Sequence, residues 1–225
     1  LIVTFFVVFA EIGVVGEWSP SYLIWFGLEW FVMLAIINAM NLIDGIDGLA
    51  IGITFMILLL ECVAKLILNF TDTVSVPLLM PLLLVLFVFN VLGKRRKVFL
   101  GDGGSLALGL IVSAAIYEID FPVLLPIMPD TIYGLTSDIF WISAACLLFV
   151  PVPLIAMARV AIVRMCHKES PFHADRRHFH HILIDRGLTH LQAALIEIGL
   201  NSMPMIILLV LHACRVIEPL MIMYD

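Results

Sequence analysis

Charge is scarce in this sequence: Asp, Glu, Lys and Arg make up 13% of the 225 residues, hydrophobic residues 63%, and the mean hydropathy is +1.14. A soluble domain carries roughly twice that share of charge and about 45–50% apolar residues. The deficit excludes an ordinary soluble globular fold and indicates a polytopic membrane protein. Cysteine is sparse too. Cys62, Cys146, Cys166 and Cys214 are scattered, mostly within apolar runs, and no two form a C-x-x-C pair. That argues against a disulfide framework and against a zinc site. No repeat of fixed period and no low-complexity linker divides the chain, so a single integral-membrane domain is expected over residues 1–225. The net charge of −6 says little about partners, because placement of charge outweighs its sum in a membrane protein.

The opening residues, Leu1 to Val8, lie within a hydrophobic run and lack a basic leader or small-residue cleavage site. They do not read as a signal peptide. The expectation is that an N-terminal portion precedes Leu1.

A spanning helix needs about 20 mostly apolar residues. Candidates lie at roughly 1–16, 22–41, 49–69, 76–93, 103–119, 138–163 and 191–212, so the expected fold is all-α, a polytopic helical bundle of about seven transmembrane helices. Basic residues set its orientation. Lys94, Arg95, Arg96 and Lys97 form one cluster, and Arg164, Lys168, Arg176, Arg177 and Arg186 a second, while Glu17, Asp72, Glu118, Asp120, Asp130 and Asp138 occupy the alternate loops. The positive-inside rule makes the basic loops cytoplasmic. Cytoplasmic loops are then expected near 42–48, 94–102 and 164–190, and the polar motifs share that face.

The first motif is Asn38-Ala-Met-Asn41-Leu-Ile-Asp44-Gly45-Ile-Asp47-Gly48. Asn38, Asn41 and Asp44 recur every third residue, a spacing that brings them close on one drifting helix face. One Asp-Gly step would read as a helix end closed by a turn. Two steps behind two asparagines point instead to a ligand, an ion or water, since buried polarity in a membrane is costly.

The second motif is Phe99-Leu-Gly101-Asp102-Gly103-Gly104-Ser105, between the basic run and an apolar span. Asp102 falls at a helix N-terminus, where a carboxylate can cap. The flanking glycines also make a backbone nest suited to phosphate, and the carboxylate can hold Mg²⁺ for it. Asn90, near the end of the preceding span, reads either way. The third motif is Pro171-Phe-His173-Ala-Asp175-Arg176-Arg177-His178-Phe179-His180-His181. It is either a basic juxtamembrane loop held by anionic lipid or, with its histidines, a donor set for a pyrophosphate or sugar. Arg186 and His190 read as loop and core. Carboxylates and amides for a divalent cation, an anion nest and a cationic loop at one membrane face are the equipment of phosphoryl transfer.

The ordered motifs N-x-x-N-x-x-D-G-x-D-G-L, F-x-G-D-x-G-S and S-P-F-x-x-D-R-x-H-x-H-H resemble those of the polyprenyl-phosphate N-acetylhexosamine-1-phosphate transferases of glycosyltransferase family 4, over about residues 20–190. The last motif looks like the branch that makes undecaprenyl-pyrophosphoryl-GlcNAc for O-antigen, enterobacterial common antigen or teichoic acid linkage units. The resemblance implies that Asn41 and Asp102 hold Mg²⁺, with Mn²⁺ as a substitute. It places Asp47 and Phe99 near the uracil, makes Asp44 an essential acid, and puts His178, His180 and His181 on the sugar-phosphate side of the donor. Asn38 and Arg176 go with the substrate-binding set, and Asp44, Asp47 and Asp102 with the catalytic set. The implied partners are UDP-GlcNAc, undecaprenyl phosphate and the bilayer, with a homodimer compatible and no nucleic acid. The implied place is the bacterial inner membrane, multi-pass, with the site on the cytoplasmic face.

Two departures stand out. No Asp precedes Asp44, so the family's upstream aspartate pair is missing, and Pro153-Leu-Ile-Ala156 replaces a frequent Pro-Leu-x-Asp. The expected truncation at Leu1 would account for the first. The rival readings are phospho-MurNAc-pentapeptide transfer, a membrane transporter with polar groups near the midplane, and an inactive remnant.

Overall fold

The computed structural model describes residues 20–67, 75–93, 97–117, 146, 148–167 and 179–222. Side chains are described from residue 27, from residue 78 in the third helix, and through residue 214 in the last. Among these residues every regular element is an α-helix: α1 (Pro20–Ile43), α2 (Leu49–Ile67), α3 (Ser75–Val91), α4 (Gly101–Tyr117), α5 (Pro151–Cys166), α6 (Phe179–Asp185) and α7 (His190–Ile222). The expected span at 1–16 lies outside the described residues.

The breaks between helices fall where the sequence punctuates them. Between α1 and α2, Gly48 has φ +81, a left-handed conformation that glycine adopts without steric cost. Ahead of α5, Pro151 and Pro153 sit in the first turn, where missing N–H groups leave no helical bond unmade. The expected single span at 138–163 is therefore interrupted at Val150. Asn201 of α7 closes that break from across the bundle: its amide donates to the Phe149 carbonyl at 2.7 Å and accepts from the Val152 N–H at 3.2 Å. The stretch 164–190, expected as loop, is helical at both ends, with α5 running to Cys166 and α6 starting at Phe179.

Helix α2 is central, packing against α1, α3, α4 and α7, while α1 lies against α4 and α5. A Cβ on Gly109 of α4 would fall 2.7 Å from the Ile37 Cα of α1, so only glycine lets these two backbones come so near. Such close approach is how helices associate in lipid, where tails are as apolar as leucine and packing supplies the attraction. The outward faces are apolar as well: Leu78 is 74% exposed and Leu82 63% on α3, and Met203 57% and Ile207 53% on α7. Helices apolar all round belong in a membrane or in a larger core.

Among the described residues, two stretches are long and apolar enough to cross a bilayer by themselves, Leu49–Ile67 and His190–Cys214. Shorter apolar stretches run over Gly27–Ile43, Leu78–Val91 and Gly101–Tyr117. The all-helical class stands, and the count of seven crossings is not established by these helices. One end of the bundle gathers five helix ends: the C-termini of α1 and α3 and the N-termini of α2, α4 and α7.

Candidate active site

A cavity of about 440 Å³ opens at that end, within the usual range for small-molecule sites. It is lined by Asn41, Asp44, Gly45, Ile46 and Asp47 from the α1–α2 turn, Asn90 from α3, Lys97 to Asp102 without Val98, and His190 from α7. The first two sequence motifs, more than 50 residues apart in the chain, thus face one space.

Asn90 joins them. Its side-chain oxygen accepts the Gly48 N–H at 2.6 Å, and its amide donates to the Val98 carbonyl at 2.8 Å. One buried amide therefore holds both the Asp-Gly turn and the segment leading to Asp102. A Cβ on Gly48 would meet Val91 at 2.5 Å and Phe87 at 2.8 Å, so the turn sits flush on the end of α3. A second link runs from α4: the fully buried Ser105 hydroxyl makes a short hydrogen bond to the Asn41 side-chain oxygen. Asp102 lies in the first turn of α4, where exposed N–H groups favour a carboxylate.

The electrostatics are lopsided. Burial first, and then the neighbouring carboxylates of Asp102 and Asp47, push the Asp44 carboxyl up from 3.8 to about 6. Lys97 relieves part of the charge, its Nζ lying 2.6 Å from Asp47 Oδ2 and 5.2 Å from the centre of the Phe99 ring. His190 Nδ1 lies 3.7 Å from the same Asp47 oxygen. His190 is presented there because Thr189 and Gln192 cap α7, the Gln192 Oε1 accepting the Thr189 N–H at 2.9 Å and Thr189 Oγ1 accepting the Gln192 N–H at 3.3 Å. Phe99 is 75% exposed at the rim, an open aromatic face.

Of the residues singled out from sequence, the fold brings together Asn41, Asp44, Asp47, Phe99 and Asp102. Asn38 is not among them: it is exposed and its amide donates to the Leu34 carbonyl of its own helix at 2.7 Å. Three residues turn through about 300°, only about 60° short of a full turn, so Asn38 shares Asn41's side of α1 but lies about 4.5 Å further from the helix end that opens on the cavity. His180 is buried behind the turn and His181 is half-buried beside it, and neither lines the cavity. Arg176 and His178 lie outside the described residues. Ala156 packs against the core from α5, away from the cavity lining. Three lining residues escaped or half-escaped the sequence reading. Lys97 read only as part of a topogenic run, His190 as loop, and Asn90 as undecided. A capping pattern, Thr189-x-x-Gln192, was the available signal that His190 begins a helix.

Oxygen donors dominate the site, a set suited to a hard divalent cation. Among the described residues no three His, Cys, Asp or Glu side chains converge closely enough to hold a metal, so the Asn41 amide oxygen would have to complete any set. The Asp44 carboxyl is raised first by burial and then by Asp102 and Asp47, and it is the charge of these neighbours that such a cation would offset.

The model of glycosyl transferase family 4 matches residues 1–120, which is more than half of the chain and includes both motifs that line the cavity. The chain belongs to glycosyl transferase family 4. Among curated members, the undecaprenyl-phosphate α-N-acetylglucosaminyl 1-phosphate transferase of Escherichia coli strain K12 is 33% identical over 176 residues, covering 74% of this chain and 42% of that protein. A decaprenyl-phosphate N-acetylglucosaminephosphotransferase of Mycolicibacterium smegmatis is 32% identical over 202 residues, covering 84% of this chain and 48% of that one. The Yersinia pestis protein with the same name as that of E. coli is 32% identical over 168 residues, with 72% and 42% covered. This family 4 chain thus spans less than half the length of these relatives.

Proposed function

We propose that the protein carrying this chain transfers GlcNAc-1-phosphate from UDP-GlcNAc to undecaprenyl phosphate, giving undecaprenyl-pyrophosphoryl-GlcNAc and UMP and so starting a cell-surface polysaccharide. The observation that carries this reading is the convergence of Asn41, Asp44, Asp47 and Asp102 from two distant motifs on one cavity, with Lys97 beside them, in a family 4 chain. The names of the relatives, polyprenyl-phosphate GlcNAc-1-phosphate transferases, support the acceptor and the transferred group.

In the proposed step an oxygen of the lipid phosphate forms a bond to the β-phosphorus of the donor. The bridging P–O bond breaks, and its electron pair leaves on the oxygen of UMP. Asn41 and Asp102, with Asp44 next to them, would hold Mg²⁺, which when bound supplies positive charge to the phosphates. The chain's own groups orient the reactants. Phe99 offers its ring to the uracil, Asp47 receives the base side of the donor, and Lys97 balances charge on the nucleotide side. The proposed setting is a bundle of about seven spans in a bacterial inner membrane with the cavity on the cytoplasmic face, supported by the basic run Lys94–Lys97 leading into it.

The test uses membranes containing the complete gene product, undecaprenyl phosphate, Mg²⁺ and radiolabelled UDP-GlcNAc. Label should enter the organic phase only with Mg²⁺, and Asp102→Asn should lower that rate by at least about 100-fold, as loss of a charge-stabilising group at a reacting phosphate does. Transfer from UDP-MurNAc-pentapeptide alone would redirect the assignment. Transfer from neither donor would leave a transporter or an inactive protein.

A further inference from the structure

His180 belongs to the histidine motif yet stands behind the cavity rather than in it. Its side chain is 1% exposed. The Nε2 edge of the ring abuts the backbone of Gly45: a Cβ on Gly45 would lie 2.5 Å from Nε2 and 3.1 Å from Cε1. On the opposite edge, Nδ1 is 3.9 Å from Oε1 of Glu197, which is also 1% exposed and lies two turns into α7. The His181 ring closes another side, with centroids 4.5 Å apart and a 55° tilt. The imidazole is thus wedged between the site's turn and a buried carboxylate.

This arrangement accounts for three residue choices at once. Position 45 has no room for a side chain. A carboxylate buried among apolar helices needs a proton or a cationic partner, and a histidine is suited to supply either. The histidine in turn faces that carboxylate at 3.9 Å, within ion-pair reach, and its orientation is set by packing between Gly45 and Glu197. A sugar-binding role would require the ring to leave this burial and abandon Glu197.

We propose that His180 and Glu197 act together as a positioning unit: through contact with Gly45 they fix the Asp44–Gly45 turn and so the direction in which Asp44 faces the cavity. The proposal rests on the assigned site, and it assigns His180 a place under the turn instead of on the donor sugar.

The test takes the complete gene product in nanodiscs with Glu197→Gln, His180→Gln and the double substitution, and with Glu197→Asp should the Gln variant fold poorly. Each single change should lower turnover of UDP-GlcNAc about tenfold with donor KM within about twofold, and the double should be no worse than about the poorer single, the mark of groups acting as a unit. Amide hydrogen exchange over residues 41–49 should quicken several-fold in each variant, while the core of α2 exchanges as in the wild type. A raised donor KM in His180→Gln beside a wild-type Glu197→Gln would put His180 on the donor and overturn the proposal. Unchanged exchange over 41–49 would overturn it as well. The exchange measurement needs no turnover, so absence of transfer by the wild type would refute the assigned reaction while the positioning unit stood or fell on exchange alone.

Discussion

The Glu61–Lys65 pair and the acids of the cavity both lie among these apolar helices, and the fold treats them in opposite ways. In the last two turns of α2, Glu61 and Lys65 are buried one turn apart and pair at 2.6 Å. Their charges cancel within a single helix, which is how an ionic pair can be carried through an apolar interior. At the end of the bundle, Asp44, Asp47 and Asp102 meet with Lys97 and the rim residue His190 around one cavity. Three carboxylates there face one lysine, and the Asp44 carboxyl is raised by burial first and by Asp102 and Asp47 after it. Cancelled charge is architecture. Charge left over, facing a cavity, is capacity to hold something from outside.

The comparison breaks most sharply at Glu61. Glu61→Ala leaves a lysine in an apolar setting and should destabilise the protein by about 3 kcal/mol, whereas replacing both members by methionine should restore most of it. Thermal unfolding in detergent with each variant reads the difference. If Glu61→Ala unfolds like the wild type, the pair is not the structural element described.

A middle-sized effect is expected at Lys97. Lys97→Met should raise the donor KM about tenfold, roughly 1.4 kcal/mol, with little change in unfolding temperature, because its partner Asp47 is partly exposed and solvent takes over the pairing. Equal losses in stability and affinity would make Lys97 a second Glu61–Lys65 case.

The smallest effect has an unusual sign. Asp44 titrates near 6 in the folded chain against an ordinary 3.8, so the fold favours its neutral form. Its contribution to stability is fully present below about pH 4 and is lost as pH rises through about 6. Asp44→Asn should therefore stabilise the cation-free protein at pH 7.5 by about 1 kcal/mol after allowance for solvent screening, and by less at pH 5. The same variant should be inactive. Unfolding curves at the two pH values, with chelator present, check the sign, and a destabilised variant at pH 7.5 would contradict the account of a buried carboxyl crowded by two others.

Much of the site was legible because its chemistry is written in short runs. Asn41, Asp44 and Asp47 lie within seven residues, Phe99 and Asp102 within four, and local spacing alone makes each run cohere. Asn38 shows where that logic stops: it shares the motif's spacing but donates to its own helix backbone, since it sits nearly one turn further from the helix end that meets the cavity. His180 and His181 show the same for the histidine motif: neither lines the cavity, and His180 packs against Gly45 behind the turn. The all-helical class was equally legible from composition. The helix at Phe179–Asp185 was not, because seven residues flanked by charge carry too weak a periodic pattern.

By itself, then, the sequence determined the solvent and the chemistry of this protein. Composition favours apolar surroundings, and the clustered acids and amides are oxygen donors of the kind that suit a hard cation. Tertiary structure alone decided which groups share the cavity. Asn90 reaches Gly48 across 42 residues, Ser105 reaches Asn41 across 64, and His190 enters from a helix whose start is set by its cap. No local pattern encodes such contacts, since they exist only once α1, α2, α3, α4 and α7 have packed with their ends together. The same packing turned His180 away from the site it was expected to line, because the room beside Gly45 and the carboxylate of Glu197 appear only when α6 and α7 close on the turn.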